Sequence, residues 1–117
     1  EWFLNTNKNA CGFKAAYFSG LTTLELSKIV VKILKKEKFI TGLYNIASKQ
    51  ISKYELIKKV NKVYSLNKII SKDNSYKTNK SLNSKKFLKQ FGIKVKSWDI
   101  QLREMHSDFI TNKKIYK

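Results

Sequence analysis

An α/β fold of about three short strands and four helices is predicted by three observations. Apolar segments of strand length alternate with segments of helical period. Hydroxyl-x-x-Glu capping boxes stand in front of two of the helical segments. The length, 117 residues of which 42% are hydrophobic, suffices for one modest core and not for two.

The chain opens Glu1-Trp2-Phe3-Leu4, without Met, which reads as the last turn of a helix and as part of a longer protein. Phe13-Lys-Ala-Ala-Tyr-Phe18 reads as a short strand after Gly12, ended by Ser19-Gly20. Thr22-Thr23-Leu24-Glu25 fits a capping box, in which a hydroxyl accepts from a backbone N–H three residues on and Glu25 reaches back. Behind it Leu26, Ile29, Val30, Ile33 and Leu34 recur at helical spacing, predicting one wide buried stripe. Lys35, Lys36 and Lys38 follow near the helix end, where cations suit the dipole.

Gly42-Leu-Tyr-Asn-Ile-Ala47 carries no charge and is expected to be a central strand. Ser52-Lys-Tyr-Glu55 is the second capping box, starting a helix with Leu56, Ile57, Val60, Val63 and Tyr64 inward and Lys58, Lys59 and Lys62 outward. Lys68-Ile-Ile-Ser71 reads as a short third strand. Residues 72–81 are polar and aperiodic, and are expected to form a loop of about ten residues, a length often tied to function. Asn83 or Ser84 caps a short helix bearing Phe87, Leu88 and Phe91, with Gly92 as its left-handed stop. Ser97 caps the last helix, with the stripe Trp98, Leu102, Met105 and Phe109. The basic tail 111–117 is expected to fray.

Composition narrows the function classes. One cysteine, Cys11, excludes an intrachain disulfide framework, and one histidine, His106, excludes a histidine-rich metal cluster. No apolar run reaches the roughly 18 residues of a membrane span, and no signal peptide is visible. The net charge is +17, from 25 basic residues against 8 acidic ones, yet all the basic residues but Arg103 are lysine. Nucleic-acid recognition favours arginine, whose planar fork reads phosphate and guanine bidentately. Much of the charge therefore reads as a solvated lysine surface. A small basic module binding nucleic acid non-specifically stands as the alternative reading.

The search for chemistry is sparse. Gly12, Gly20, Gly42 and Gly92 are too far apart for a dinucleotide or phosphate loop. His106, beside Met105 and two residues before Asp108, reads as a helix-surface residue, and Cys11 as a small packing residue. Glu25, Glu55 and Asp99 all fall in first turns of helices, where carboxylates are explained by capping and dipole. One cluster stands out. Lys77, Lys80, Lys85 and Lys86 surround a helix N-terminus with Ser81, Asn83 and Ser84, a composition suited to a phosphate or pyrophosphate and equally to a solvated lysine-rich loop.

Four segments together carry a family resemblance: Ser19-Gly-Leu-Thr-Thr-Leu-Glu-Leu-Ser-Lys28, Gly42-Leu-Tyr-Asn-Ile-Ala-Ser48, Ile51-Ser-Lys-Tyr-Glu-Leu56 and Lys80-Ser-Leu-Asn-Ser-Lys-Lys-Phe87. In order and spacing, from about Trp2 to Asp108, they resemble the C-terminal, substrate-binding portion of Rossmann-type extended short-chain dehydrogenase/reductases, in the dTDP-4-dehydrorhamnose reductase-like branch. Lys96-Ser-Trp98-Asp is similar to the closing Pro-x-x-Trp helix of that family, without its proline.

The resemblance implies an oxidoreductase fragment. It implies a cytoplasmic nucleotide-sugar enzyme using NAD or NADP, whose dinucleotide-binding Rossmann domain and Tyr-x-x-x-Lys catalytic pair precede this segment. The segment by itself is then expected to bind no cofactor and to be inactive alone. Tyr54 and Lys58 match Tyr-x-x-x-Lys formally. Tyr54 falls in the family's Ser-x-Tyr helix pattern, however, and is read as packing. No catalytic, cofactor-binding or metal-binding residue is assigned. The family's loop arginine, which can meet the sugar-nucleotide phosphates, corresponds to Lys80, with Lys77 next in line if the loop is shifted. Lysine keeps the charge and loses the fork.

Overall fold

The computed structural model describes residues 2–5, 9–36 and 40–114. In chain order these form α1 (Trp2–Asn5), β1 (Asn9–Phe18), α2 (Thr23–Leu34), β2 (Ile51–Ser52), α3 (Lys53–Val63), β3 (Ile69–Lys80), α4 (Lys85–Phe91) and α5 (Trp98–Thr111). The mixed α/β class stands, with three strands and five helices. The added helix is α1, the short turn that Trp2-Phe3-Leu4 had suggested.

The sheet has the order β2-β1-β3, with β1 antiparallel to β2 and parallel to β3. Helix α3 lies directly on β1. A Cβ at Gly12 would come within 2.6 Å of the Tyr54 Cα and 2.8 Å of the Ile57 Cδ1, so only glycine permits this approach. Alternation along the strand then sets Ala10, Gly12 and Ala16 inward, and Cys11 and Tyr17 outward, so Cys11 is exposed and not the packing residue its sequence context suggested. A separate core forms where α2 meets α4. Ile29, Phe87 and Phe91 are buried there, with Ile33, Tyr44 and Ile46 packed against them.

Several sequence expectations are corrected. Gly42–Ala47 is not a strand: it makes no ladder, and the sheet's second partner for β1 is the two-residue β2. The polar stretch 72–81 is not a free loop, because β3 runs through it to Lys80, paired along β1. Tertiary pairing overrides weak strand propensity here. Its polar character survives as an irregularity: between Phe13↔Asp73 and Ala15↔Lys77, three residues of β3 face one of β1, and Asp73 Oδ1 accepts the Ser75 N–H at 2.7 Å. The predicted stripe of α2 is only half used. Ile29 and Ile33 pack inward, while Leu26, Val30 and Leu34 remain exposed, Leu34 at 77%.

The caps form, with one exchange of partner. Thr22 and Ser52 accept from the N–H groups of Glu25 and Glu55 at 3.2 and 3.1 Å. Glu25 does not reach back: its carboxylate accepts from the Lys96 N–H at 2.9 Å instead. Gly92 ends α4 at φ 66°, the left-handed stop read from the sequence. Helix α5 runs through Thr111, and of the basic tail only residues 115–117 lie outside the described residues.

Candidate anion-binding site at the strand ends

Strands β1 and β3 run parallel and finish together, Phe18 opposite Lys80. Carboxyl ends of parallel strands are where open α/β sheets bind ligands, because the chain turns away there and leaves a crevice lined by loop backbone. Three chain segments meet at this end, fastened by serines. Ser19 Oγ accepts from the Leu82 N–H at 2.8 Å, the Ser19 carbonyl accepts from the Ser48 N–H at 3.0 Å, and Ser84 Oγ donates to the Ala47 carbonyl at 3.3 Å.

Both candidate lysines are exposed on β3. Register places Lys80 beside Phe18, whose ring sits 5.7 Å from that of Trp98, and Lys77 beside Ala15. Three residues apart on a strand, the two occupy opposite faces of the sheet. Lys80 shares the face covered by α3, and Lys77 shares the open one. They are therefore not a pair, although both stand near the strand end. Immediately after Lys80, Ser81 Oγ is the buried side-chain polar atom without a hydrogen-bond partner among the described residues. Sequence reasoning had counted Ser81 only as one of several polar loop residues. An orphaned hydroxyl cannot be read from sequence.

The other lysines of the sequence cluster disperse. Lys86 is committed locally, its ammonium 3.1 Å from the Leu43 carbonyl and 4.8 Å from the Tyr44 ring centroid. Asn83 Oδ1 accepts the Lys85 N–H at 2.9 Å, and Ser84, the N-cap residue, uses its hydroxyl on Ala47 rather than on the helix.

A second basic region emerges that spacing alone did not reveal. Helices α3 and α5 enclose a groove of about 500 Å³ at its Trp98 end and about 750 Å³ at its His106 end. Lys49, Lys58, Lys59, Lys62 and Arg103 line it together with Glu55 and Asp99, and neither Lys77 nor Lys80 does. Lys59 Nζ lies 2.6 Å from Asp99 Oδ1, and this contact holds the Asp99 carboxyl below the usual carboxylate range. His106 lies against Tyr64 with ring centroids 4.3 Å apart and planes tilted by 46°, and burial raises the Tyr64 hydroxyl pKa. That contact leaves His106 half-buried on α5.

Tyr54 also behaves as packing. It lies against Gly12, with Lys58 and Lys72 ammoniums 5.4 and 5.6 Å from its ring centroid. Its ring faces two cations, not an open cleft.

The fold is mixed α/β, with the two parallel strands β1 and β3 ending side by side. Among solved structures, the chain is similar to dTDP-4-dehydrorhamnose reductase from Bacillus anthracis, solved in complex with NADP, with a TM-score of 0.74 and 14% identity. The similarity covers 94% of this chain and 40% of the reductase, so the chain spans well under half of that protein's length. No protein-family model matches the chain, and no curated protein matches it. At this identity the likeness concerns the fold.

Proposed function

We propose that this chain is the nucleotide-sugar-binding segment of an NAD(P)-dependent sugar reductase of the dTDP-4-dehydrorhamnose reductase-like kind. Lys80 is the principal phosphate contact in this reading, and Lys77 the secondary one. The observation that supports it is the parallel pairing of β1 with β3, which ends at Phe18 and Lys80 in a fold similar to part of a reductase. A diphosphate placed there meets the exposed Lys80 ammonium. Hydride transfer needs a nicotinamide and a proton-moving pair that this segment does not supply. Its part is to hold the sugar nucleotide while a dinucleotide domain supplies cofactor and catalytic groups. Such a domain is the expected partner.

Titration calorimetry with dTDP tests this. The wild-type chain binds dTDP and not NAD(H) or NADP(H). Lys80→Ala weakens dTDP binding about tenfold, the scale of one charged hydrogen bond, and Lys77→Ala weakens it less. Equal affinity in all three proteins, or robust binding of the dinucleotide by the isolated chain, contradicts the proposal.

The α3–α5 groove supports a second reading, non-specific binding of nucleic acid, since five basic side chains line it against two carboxylates. That reading predicts oligonucleotide affinity falling steeply with salt. It also predicts that Arg103→Glu, not Lys80→Ala, abolishes the binding.

A further inference from the structure

The groove between α3 and α5 lies outside the strand-end site. Its two helices run the same way along it: Lys59 meets Asp99, and further on Tyr64 meets His106. From Trp98 to Ile110 the groove follows α5, about 18 Å at the helical rise. An extended polypeptide of about five or six residues has the same span.

The charges along it are not evenly placed. Lys59 is engaged by Asp99 at 2.6 Å, so these two offset each other. Lys49, Lys58, Lys62 and Arg103 remain, against Glu55. Lys58 and Lys62 are exposed and one turn apart, about 6 Å along α3. On the facing helix Arg103 is held by its Nε, which donates to the Asp99 carbonyl at 3.1 Å. Its two terminal amino groups have no partner among the described residues. Val63 and Ile110, the latter 54% exposed, add apolar surface beside these cations.

We propose that this groove binds an acidic, extended segment of a partner protein, whose carboxylates at alternate positions meet Lys58, Lys62 and Arg103. Side chains on one side of an extended chain recur about every 6.6 Å, close to the spacing of the two lysines. The free fork of Arg103 suits a carboxylate bidentately. The Glu55 carboxylate can accept from a backbone N–H of the segment, which a phosphodiester chain does not offer. Charge alone also admits nucleic acid, but single strands bind by stacking their bases on aromatic faces. The rings here are taken. Trp98, 7% exposed, packs on Phe18 and donates its Nε1–H to the Lys49 carbonyl at 2.8 Å, and His106 lies against Tyr64. The inference is independent of Lys80 and of the sugar-nucleotide reading.

Fluorescence anisotropy on the full chain tests it. The probe is a labelled peptide alternating glutamate and serine over the length of the groove. Its glutamine counterpart and an oligothymidylate of similar length are the comparators. The glutamate peptide binds, and the glutamine peptide does not. Arg103→Gln and Lys62→Gln each weaken binding about tenfold, the scale of one charged hydrogen bond. Both residues are exposed, so the thermal transition stays where it is in wild type. Lys89→Gln makes the same charge change on α4, outside the groove, and leaves the affinity unchanged. Absence of glutamate-peptide binding overturns the proposal, as does binding that Arg103→Gln and Lys62→Gln leave intact. An equal loss in Lys89→Gln assigns the binding to net charge and overturns it as well. Tighter binding of the oligothymidylate than of the peptide gives the groove to nucleic acid instead.

Discussion

The two sides of α2 are finished in opposite ways. Toward α5, its N-terminal turn is closed by buried hydrogen bonds. Gln101, with no exposed surface, accepts the Thr22 N–H at 3.0 Å and donates to the Lys96 carbonyl at 2.7 Å, and Glu25, 3% exposed, takes the Lys96 N–H. Away from α5, Leu26, Val30 and Leu34 face solvent, next to a segment that lacks a ladder. One helix thus carries both a completed seam and an open one. The difference teaches where this chain closes on itself and where it leaves apolar surface uncovered. Buried polar groups are satisfied in the first region, and apolar groups are uncovered in the second.

The sharpest way to break this contrast is at the closed seam. Gln101→Leu keeps the volume roughly constant but strands the Thr22 N–H and the Lys96 carbonyl. The loss expected is about 2–4 kcal/mol of folding stability, measured by urea unfolding. A loss below about 0.5 kcal/mol would show that water reaches the seam and that the two sides of α2 are alike.

A smaller effect is expected at the outer rim of the same seam. Glu104 accepts from Lys28 Nζ at 2.9 Å and from Lys96 Nζ. Lys96, and then Lys28, hold its carboxyl below the ordinary glutamate value. The folded-state pKa is depressed, so the stabilisation is complete above the unfolded value near about 4.3 and drains away as pH falls through the folded one. These groups are substantially solvated, which keeps the contribution small. Glu104→Gln is therefore slightly less stable than wild type at pH 7, and the gap closes in acid. A gap that persists at pH 2 would attribute the effect to packing.

The legibility of the sequence follows the same division. Helix starts were readable because Thr22 and Ser52 cap through local chemistry, three residues from their partners. Gly92 was readable because a left-handed stop is a property of one residue. Gln101 was not, since a glutamine on an amphipathic helix looks like surface until a second element is laid over it. Residues 72–81 misled because their strand conformation comes from pairing with β1 and not from their own propensity. Residues 43–47 misled in the other direction: their composition describes a paired strand, and no described residue of this chain pairs with them. At the candidate site, Lys80 was read inside a loop and stands instead at the end of β3. Its separation from Lys77 across the sheet, and the stranded Ser81 hydroxyl, depend on a register that no local pattern encodes.

The functional reading is tested most directly by residue-resolved NMR titration of the wild-type chain with dTDP. The account predicts amide shifts concentrated at Lys80, Ser81 and Leu82 and at the adjoining turn 19–22, with α3 and α5 unmoved. Shifts confined to Lys58, Lys59, Lys62 and Arg103 would contradict it, placing the anion in the α3–α5 groove and leaving the strand ends without a ligand.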